Sequence, residues 1–270
     1  MPLARLTREY LDGRELLWQF VARELRVRYH QAALGLAWAV LLPALFVGGA
    51  ALLRPALTGA APGGSGALDT AIRGVLWSGF SAAIAGGTSS LIANAALVGK
   101  VAFVREMLPL SAVLAVGVDM LVGLTVVIAW RLVAVGAPSW NVLWIVPVVL
   151  VLLLLAAALA LLLSAAQLFF RDVKFAVQAA LTAGVFVTPV LFGVEELGRA
   201  GQWMQWNPLT PLLEGARIAV IDGESLLHRG AGGGWWDPAA LAATAVGALV
   251  LFGIAAVLFD QLEDRFAERL

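Results

Sequence analysis

Cysteine is absent from the 270-residue chain, and histidine occurs only as His30 and His228. The first absence removes disulfides, thiol nucleophiles and thiolate-bound metals, and it leaves the redox compartment open. The second removes the His-Glu-x-x-His metal pattern, and no Gly-x-Ser-x-Gly elbow offers a serine nucleophile in its place. Nor is there a glycine-rich loop followed by Lys and Ser or Thr to cradle a nucleotide. Charge is also scarce, at 13% of residues, against 61% hydrophobic. With a mean hydropathy of +0.90 the composition lies outside that of soluble globular domains and marks an integral membrane protein. Formal net charge is zero, so nothing global points to nucleic acid, and electrostatic arguments must come from where the charges sit. The N-terminus is charged and lacks a short apolar core before a small-residue cleavage site, so no secretory signal is expected.

What is present is a series of apolar runs separated by short charged islands. Residues 142–170 and 175–194 flank one of these, Arg171-Asp172-Val173-Lys174. A helix of about 20 apolar residues crosses a hydrocarbon core of roughly 30 Å, so each flank is long enough to span and the island is a tight turn at one membrane face. A turn this short and charged cannot fold as a domain but can dock on one. Spans are expected at about 34–53, 75–97, 109–135, 142–170, 175–194 and 238–259, with residues 54–74 as a loop. The fold class is therefore all-α, a single membrane domain of six transmembrane helices over residues 1–270. The second span carries Gly79, Ser81, Gly86, Gly87, Thr88, Ser89 and Ser90, and small residues of this kind place a helix inside a bundle.

Residues 14–30 are too polar to span, yet Leu17, Val21, Leu25 and Tyr29 share one helical face, with Gln19, Arg23, Arg26 and His30 opposite. This predicts an amphipathic interfacial helix, a pattern that Glu24 and Arg28 blur. Asp119 lies well inside the third apolar run. An ionised Asp there costs about 2.5 to 3.5 kcal/mol, so it must face protein or water and have a partner; structural and functional roles stand even.

Lys and Arg divide unequally between the two sides. Arg5, Arg8, Arg14, Arg23, Arg26, Arg28, Lys100, Arg105, Arg171, Lys174, Arg265 and Arg269 share the side of the N-terminus. Arg54, Arg73, Arg131, Arg199, Arg217 and Arg229 lie on the other. The excess predicts both termini in the cytoplasm. Eight of the ten tryptophans, Trp77, Trp130, Trp140, Trp144, Trp203, Trp206, Trp235 and Trp236, then fall in the outer half. Interfacial anchoring is the plain explanation of any one of them. A glycan path would also use such rings, since they give flat contact area with few torsions to order. Asn207-Pro208 predicts a break followed by a helix over 210–220, too short to span, with Glu214 and Arg217 at i and i+3.

These features leave three classes. An ion-coupled carrier lacks the repeats and buried charges it would show. A lipid-linked glycosyltransferase or ligase would draw on Asp119, Arg131, Glu195, Glu196, Arg199 and Arg217. A permease half driven by a separate ATPase needs what the chain has: short cytoplasmic turns, an interfacial helix and no nucleotide site.

Several blocks also carry a resemblance. Arg26-Val27-Arg28-Tyr29, then Leu34-Gly35 with Trp38 and Pro43, are followed by Lys100-Val101-Ala102-Phe103-Val104-Arg105-Glu106 with Leu108-Pro109-Leu110. Phe169-Phe170-Arg171-Asp172-Val173 comes next, and then Asn207-Pro208-Leu209-Thr210-Pro211 with Glu214 and Arg217. In this order the chain resembles the permease subunits of type-2 ATP-binding-cassette exporters, in the branch that exports O-antigen, teichoic acid and related polysaccharides. Val104 departs from the pattern, which has proline there. The resemblance implies a homodimer in the cytoplasmic membrane, two copies of an ATPase partner that holds ATP and Mg2+, and a lipid-linked glycan as cargo. It implies no cofactor or metal in this chain. Arg23, Arg26, Lys100, Arg105 and Glu106 would face the ATPase, beside Arg171 and Asp172 of the second turn. Short re-entrant helices in the outer loop would gate the exit, with Trp203, Trp206, Asn207, Pro208, Glu214 and Arg217 at the gate and Asp119 in the pore. A drug or lipid exporter of the same fold is the rival within the class.

Overall fold

The structure, a computed structural model, describes residues 14–30, 45, 49, 65–98, 103–191, 193–194, 203–232, 236–263 and 265–266. The expected first span at 34–53, Lys100, Glu195, Glu196 and Arg199 lie outside the described residues. Among those described, every regular element is helical: α1 Arg14–His30, α2 Ser65–Ala93, α3 Met107–Ala134, α4 Ile145–Phe169, α5 Val173–Val187, α6 Thr210–Arg217 and α7 Pro238–Glu263, with a single helical turn, Ala95–Val98, after α2. A 3-10 turn, Trp140–Trp144, leads into α4, and a π turn, Ile218–Asp222, follows α6. Helices α2, α3, α4 (with its leading turn) and α7 are long and apolar enough to cross a membrane.

Two boundaries differ from the sequence expectation. Helix α2 starts at Ser65, inside what reads as a loop, and so takes in Asp69 and Arg73. Their charge argued against a span, but Arg73 is only 2% exposed and is paired inside the protein. Helix α5 ends at Val187, seven residues early. Pro189 disfavours helical backbone at the residue before it, and Thr188 is accordingly extended (φ −114°, ψ 142°). Its 15 residues cover about 22 Å, less than the hydrocarbon core.

The bundle is built on α2, which packs along both α3 and α4, while α4 also carries α7. The small residues of α2 do what their size suggests: a Cβ on Gly87 would meet the Cβ of Ala160 in α4 at 2.5 Å. Only glycine lets the two backbones come so close. Leu121, Leu150, Leu249 and Ile254 point outward from α3, α4 and α7, as lipid-facing residues do.

The connections sort into two ends. At one, the turn end, lie Phe103 to Glu106, Phe170 to Asp172 and the close of α7, drawn together by Phe266 against Phe169 (6.3 Å) and Phe259 (5.1 Å). At the other, the loop end, lie the α3–α4 connection and the long segment containing α6. Helix α1 packs on α3, with Val21 buried. Phe20 meets Phe103 near the start of α3, whereas Tyr29 reaches Asp119, about 18 Å further along that helix. Thus α1 runs up the side of α3.

Candidate functional site

At the loop end, α6 is a short helix enclosed by the bundle, with Leu212, Leu213 and Ala216 fully buried against α2, α4 and α7. Asn207 sets its start. Its Oδ1 accepts from the Leu209 N–H (2.9 Å), and its Nδ2 donates to Thr188 Oγ1 (2.9 Å) and the Val187 carbonyl (3.2 Å). The side chain therefore closes a local turn and ties the end of α5 to the start of α6. Pro211, in the first turn, needs no hydrogen-bond donor there.

A carboxylate sits in the middle of this buried helix. Glu214 is 1% exposed, and an ionised group so placed requires charged partners. It has two: Arg73 of α2, whose Nε lies 3.0 Å from Oε1, and Arg217, whose Nε donates to Oε2 at 2.8 Å. Arg217 continues the chain outward through Nη1 to Asp222 Oδ2 (2.9 Å) and Oδ1 (3.1 Å). Burial works against the Arg217 charge, but the Glu214 and Asp222 carboxylates outweigh it and raise its pKa. Burial pushes Asp222 up, with Arg217 pulling the other way.

The surrounding connections lock onto α6 from the far side. Ser139 Oγ and Asn141 Nδ2 both donate to the Gly223 carbonyl (2.9 and 2.7 Å), and Arg131 donates to the carbonyls of Gly136 (2.6 Å) and Ile221 (3.4 Å). Trp203 and Trp206, by contrast, project freely at 81% and 87% exposure, and Pro208 beside them is also exposed. Between α2 and α5 runs a groove of about 290 Å³ lined by Trp77, Ser81, Ala82, Ala85, Gln178, Leu181 and Thr182. Its walls combine an indole with two hydroxyls and a carboxamide.

The charged candidates at the turn end divide by exposure. Arg171 and Asp172 are exposed, as is Lys174. Arg105 is engaged within the chain: Nη1 donates to the Glu263 carbonyl at 2.7 Å and lies 3.6 Å from its Oε1, capping the last turn of α7. Glu106 is buried at the start of α3. In α1, Arg26 is exposed, whereas Arg23 lies over the Phe20 ring (5.3 Å) and donates to Asn94 Oδ1 at 2.5 Å.

Asp119 does not join the loop-end residues. It pairs with Arg28 and accepts from the Tyr29 hydroxyl at 2.6 Å. Burial and the adjacent carboxylate push the Tyr29 phenol up to about 12. Residues that sequence reasoning missed are Arg73, Asn94, Thr188, Arg28 and Tyr29. Arg28 did leave a signal, since it broke the amphipathic pattern on the side that faces Asp119. Among the described residues, no three of His, Asp and Glu gather to hold a metal.

The O-antigen export system permease protein RfbA of Myxococcus xanthus is 28% identical over 272 aligned positions, covering 99% of this chain and 100% of that one. The chain is thus similar to an O-antigen export permease from end to end. Two Klebsiella pneumoniae proteins of the same name agree. One is 24% identical over 269 positions (95% of each chain), the other 26% over 216 (77% of this chain and 81% of that one). No family model matches the sequence. At 99% of this chain, the likeness to the Myxococcus xanthus permease takes in both charged turns and the segment that forms α6.

Proposed function

We propose that this chain is the membrane-spanning permease subunit of an ATP-driven exporter, moving a lipid-linked polysaccharide of the O-antigen kind across the cytoplasmic membrane. The observation that carries this reading is the end-to-end similarity to permeases of O-antigen export systems. The permease relatives support transport, not bond making, as the task of this apolar bundle. ATP and Mg2+ belong to a partner ATPase, two copies of which serve two copies of this chain. The Lys and Arg excess supports a cytoplasmic turn end and an outward loop end.

In this reading each end has a part. Arg171 and Asp172, exposed between α4 and α5, present charge for docking, while Arg105 and Glu106 shape the neighbouring turn from within. At the loop end, α6 is the re-entrant element of the exit. The groove between α2 and α5 offers the mixture that a sugar presents in reverse, a flat ring for C–H faces and hydroxyl or amide groups for its oxygens. Trp203 and Trp206 add two freely projecting rings beside α6. The test is reconstitution of the chain with its ATPase in proteoliposomes. ATP-dependent movement of a lipid-linked glycan to the opposite face is expected, and movement of lipid or drug with the glycan left behind would favour the rival exporter class.

A further inference from the structure

Helix α2 carries a polar grip at each end. At the turn end, Asn94, directly after its last residue, accepts from Arg23 of α1 (2.5 Å) and is fixed to α2 by donating Nδ2 to the Ser90 carbonyl (2.9 Å). At the loop end, Arg73 holds Glu214 of α6, with contacts at 3.0 and 3.3 Å. Between Arg73 and Asn94 lie 21 helical steps, about 31 Å, the thickness of a hydrocarbon core. One continuous helix thus joins a charged contact from α1 to a charged contact on the buried α6.

The loop-end grip is tightly bounded. A Cβ on Gly193 would come within 3.1 Å of Arg73 Nη2, and one on Gly232 (φ +61°) within 2.8 Å of Arg217 Nη2. Glycines in the connections before and after α6 therefore close over the two guanidinium groups, so α6 and both its flanking connections are registered on this row of charges. Apolar packing of the same volume often holds a fold as well as a buried ion row does, and the best-attested use of such rows is to fix register or to switch. The π turn Ile218–Asp222, a local geometry common at functional sites, follows directly and gives α6 a place to yield.

Resting on the exporter reading, we infer that α2 is the rod by which a displacement of α1 at the turn end moves α6 at the loop end, with Arg23–Asn94 and Arg73–Glu214 as its two couplings. Arg73 is then a positioning residue of the exit.

The absence of native cysteine makes the test direct. In the exporter assembled with its ATPase in proteoliposomes, Leu213→Cys on α6 is reacted with a maleimide at rest and during ATP turnover. Leu213 is fully buried, so resting labelling is slow, and turnover should speed it by about fivefold or more. Asn94→Ala should keep the slow resting rate and lose the rise. Arg73→Gln should raise the resting rate and make it indifferent to turnover, and the swap Arg73→Glu with Glu214→Arg should bring the slow rate back. A full rise in Asn94→Ala, or unchanged labelling in Arg73→Gln, overturns the inference. Should Arg73→Gln fail to accumulate, the swap decides: slow labelling supports the rod, and failure to accumulate or fast labelling contradicts it. Labelling reads α6 irrespective of cargo. Turnover-dependent labelling without glycan movement would therefore leave the rod standing and refute the cargo assignment alone.

Discussion

Tyr29 of α1 donates a 2.6 Å hydrogen bond to Asp119 of α3, across 90 residues of sequence, and Arg28 beside it supplies the opposing charge. The carboxylate that reads as an isolated acid inside a span is thus part of the seam between two helices. Asp119→Ala leaves Arg28 without its partner and should cost about 1 to 3 kcal/mol, while Asp119→Asn keeps an acceptor for Tyr29 and should cost less. Thermal unfolding of the purified protein measures both. Equal melting of the parent and the Ala variant, with export lost, would return Asp119 to the pore.

The same contact predicts a pH effect. Because the folded pKa of Tyr29 is raised from 10.0 to about 12, its contribution is fully present below pH 10 and is lost as pH rises toward 12. Tyr10 and Tyr29 are the two tyrosines of the chain, so ultraviolet absorbance titration of Tyr10→Phe reads Tyr29 alone. Asp119→Ala should move the midpoint down part of the way toward 10, burial accounting for the remainder. An unmoved midpoint would mean that the two side chains do not meet.

At the turn end, the pair Arg171→Ala with Asp172→Ala should change stability by no more than about 0.5 kcal/mol, as exposed residues do, and lower transport-linked ATPase activity. Arg105→Ala should instead destabilise by about 1 kcal/mol, because it uncaps α7 at Glu263. Melting curves beside ATPase rates separate the two cases. A destabilised Arg171/Asp172 variant, or a stable but uncoupled Arg105 variant, would exchange the roles.

Trp203 and Trp206 are largely exposed, so their removal should leave the bundle folded. Changing both to Ala should reduce surface polysaccharide while insertion and assembly persist, and changing both to Phe should restore much of it. Normal export from the Ala pair would leave them as ordinary interfacial anchors.

Sidedness can be read with single cysteines, and the structure guides where to place them. Gly232 lies in the connection that the charge excess places outside, but its φ of +61° and the crowding by Ile218 and Arg217 leave no room for a side chain. Leu227, 68% exposed in the same connection, is the better site. In intact cells an impermeant reagent should label Leu227→Cys and spare Ala4→Cys.

The four helices long and apolar enough to span, among the described residues, were legible in the sequence because each is a long apolar run, and hydropathy depends on nothing outside the run. The short helix after Asn207-Pro208 was legible for another reason, since proline chemistry and the Glu214/Arg217 spacing are both local. What could not be read was pairing at a distance. Arg73 made residues 65–74 look like loop because its partner lies 141 residues away, and Arg28 looked like noise on an amphipathic face because its partner lies 91 residues away. The early end of α5 was within reach: Pro189 was visible, but its apolar neighbours were given more weight than its effect on Thr188. Among the site residues, nothing local reveals that Arg105 reaches the last turn of α7 or that Glu106 is buried.

Loss of the gene tests polysaccharide export by this chain most directly. Cells lacking the chain but retaining its ATPase and glycan-synthesis enzymes should lose the surface polysaccharide and accumulate the lipid-linked glycan on the cytoplasmic face, with both restored by the parent gene. Unchanged surface polysaccharide with no internal accumulation would contradict the account.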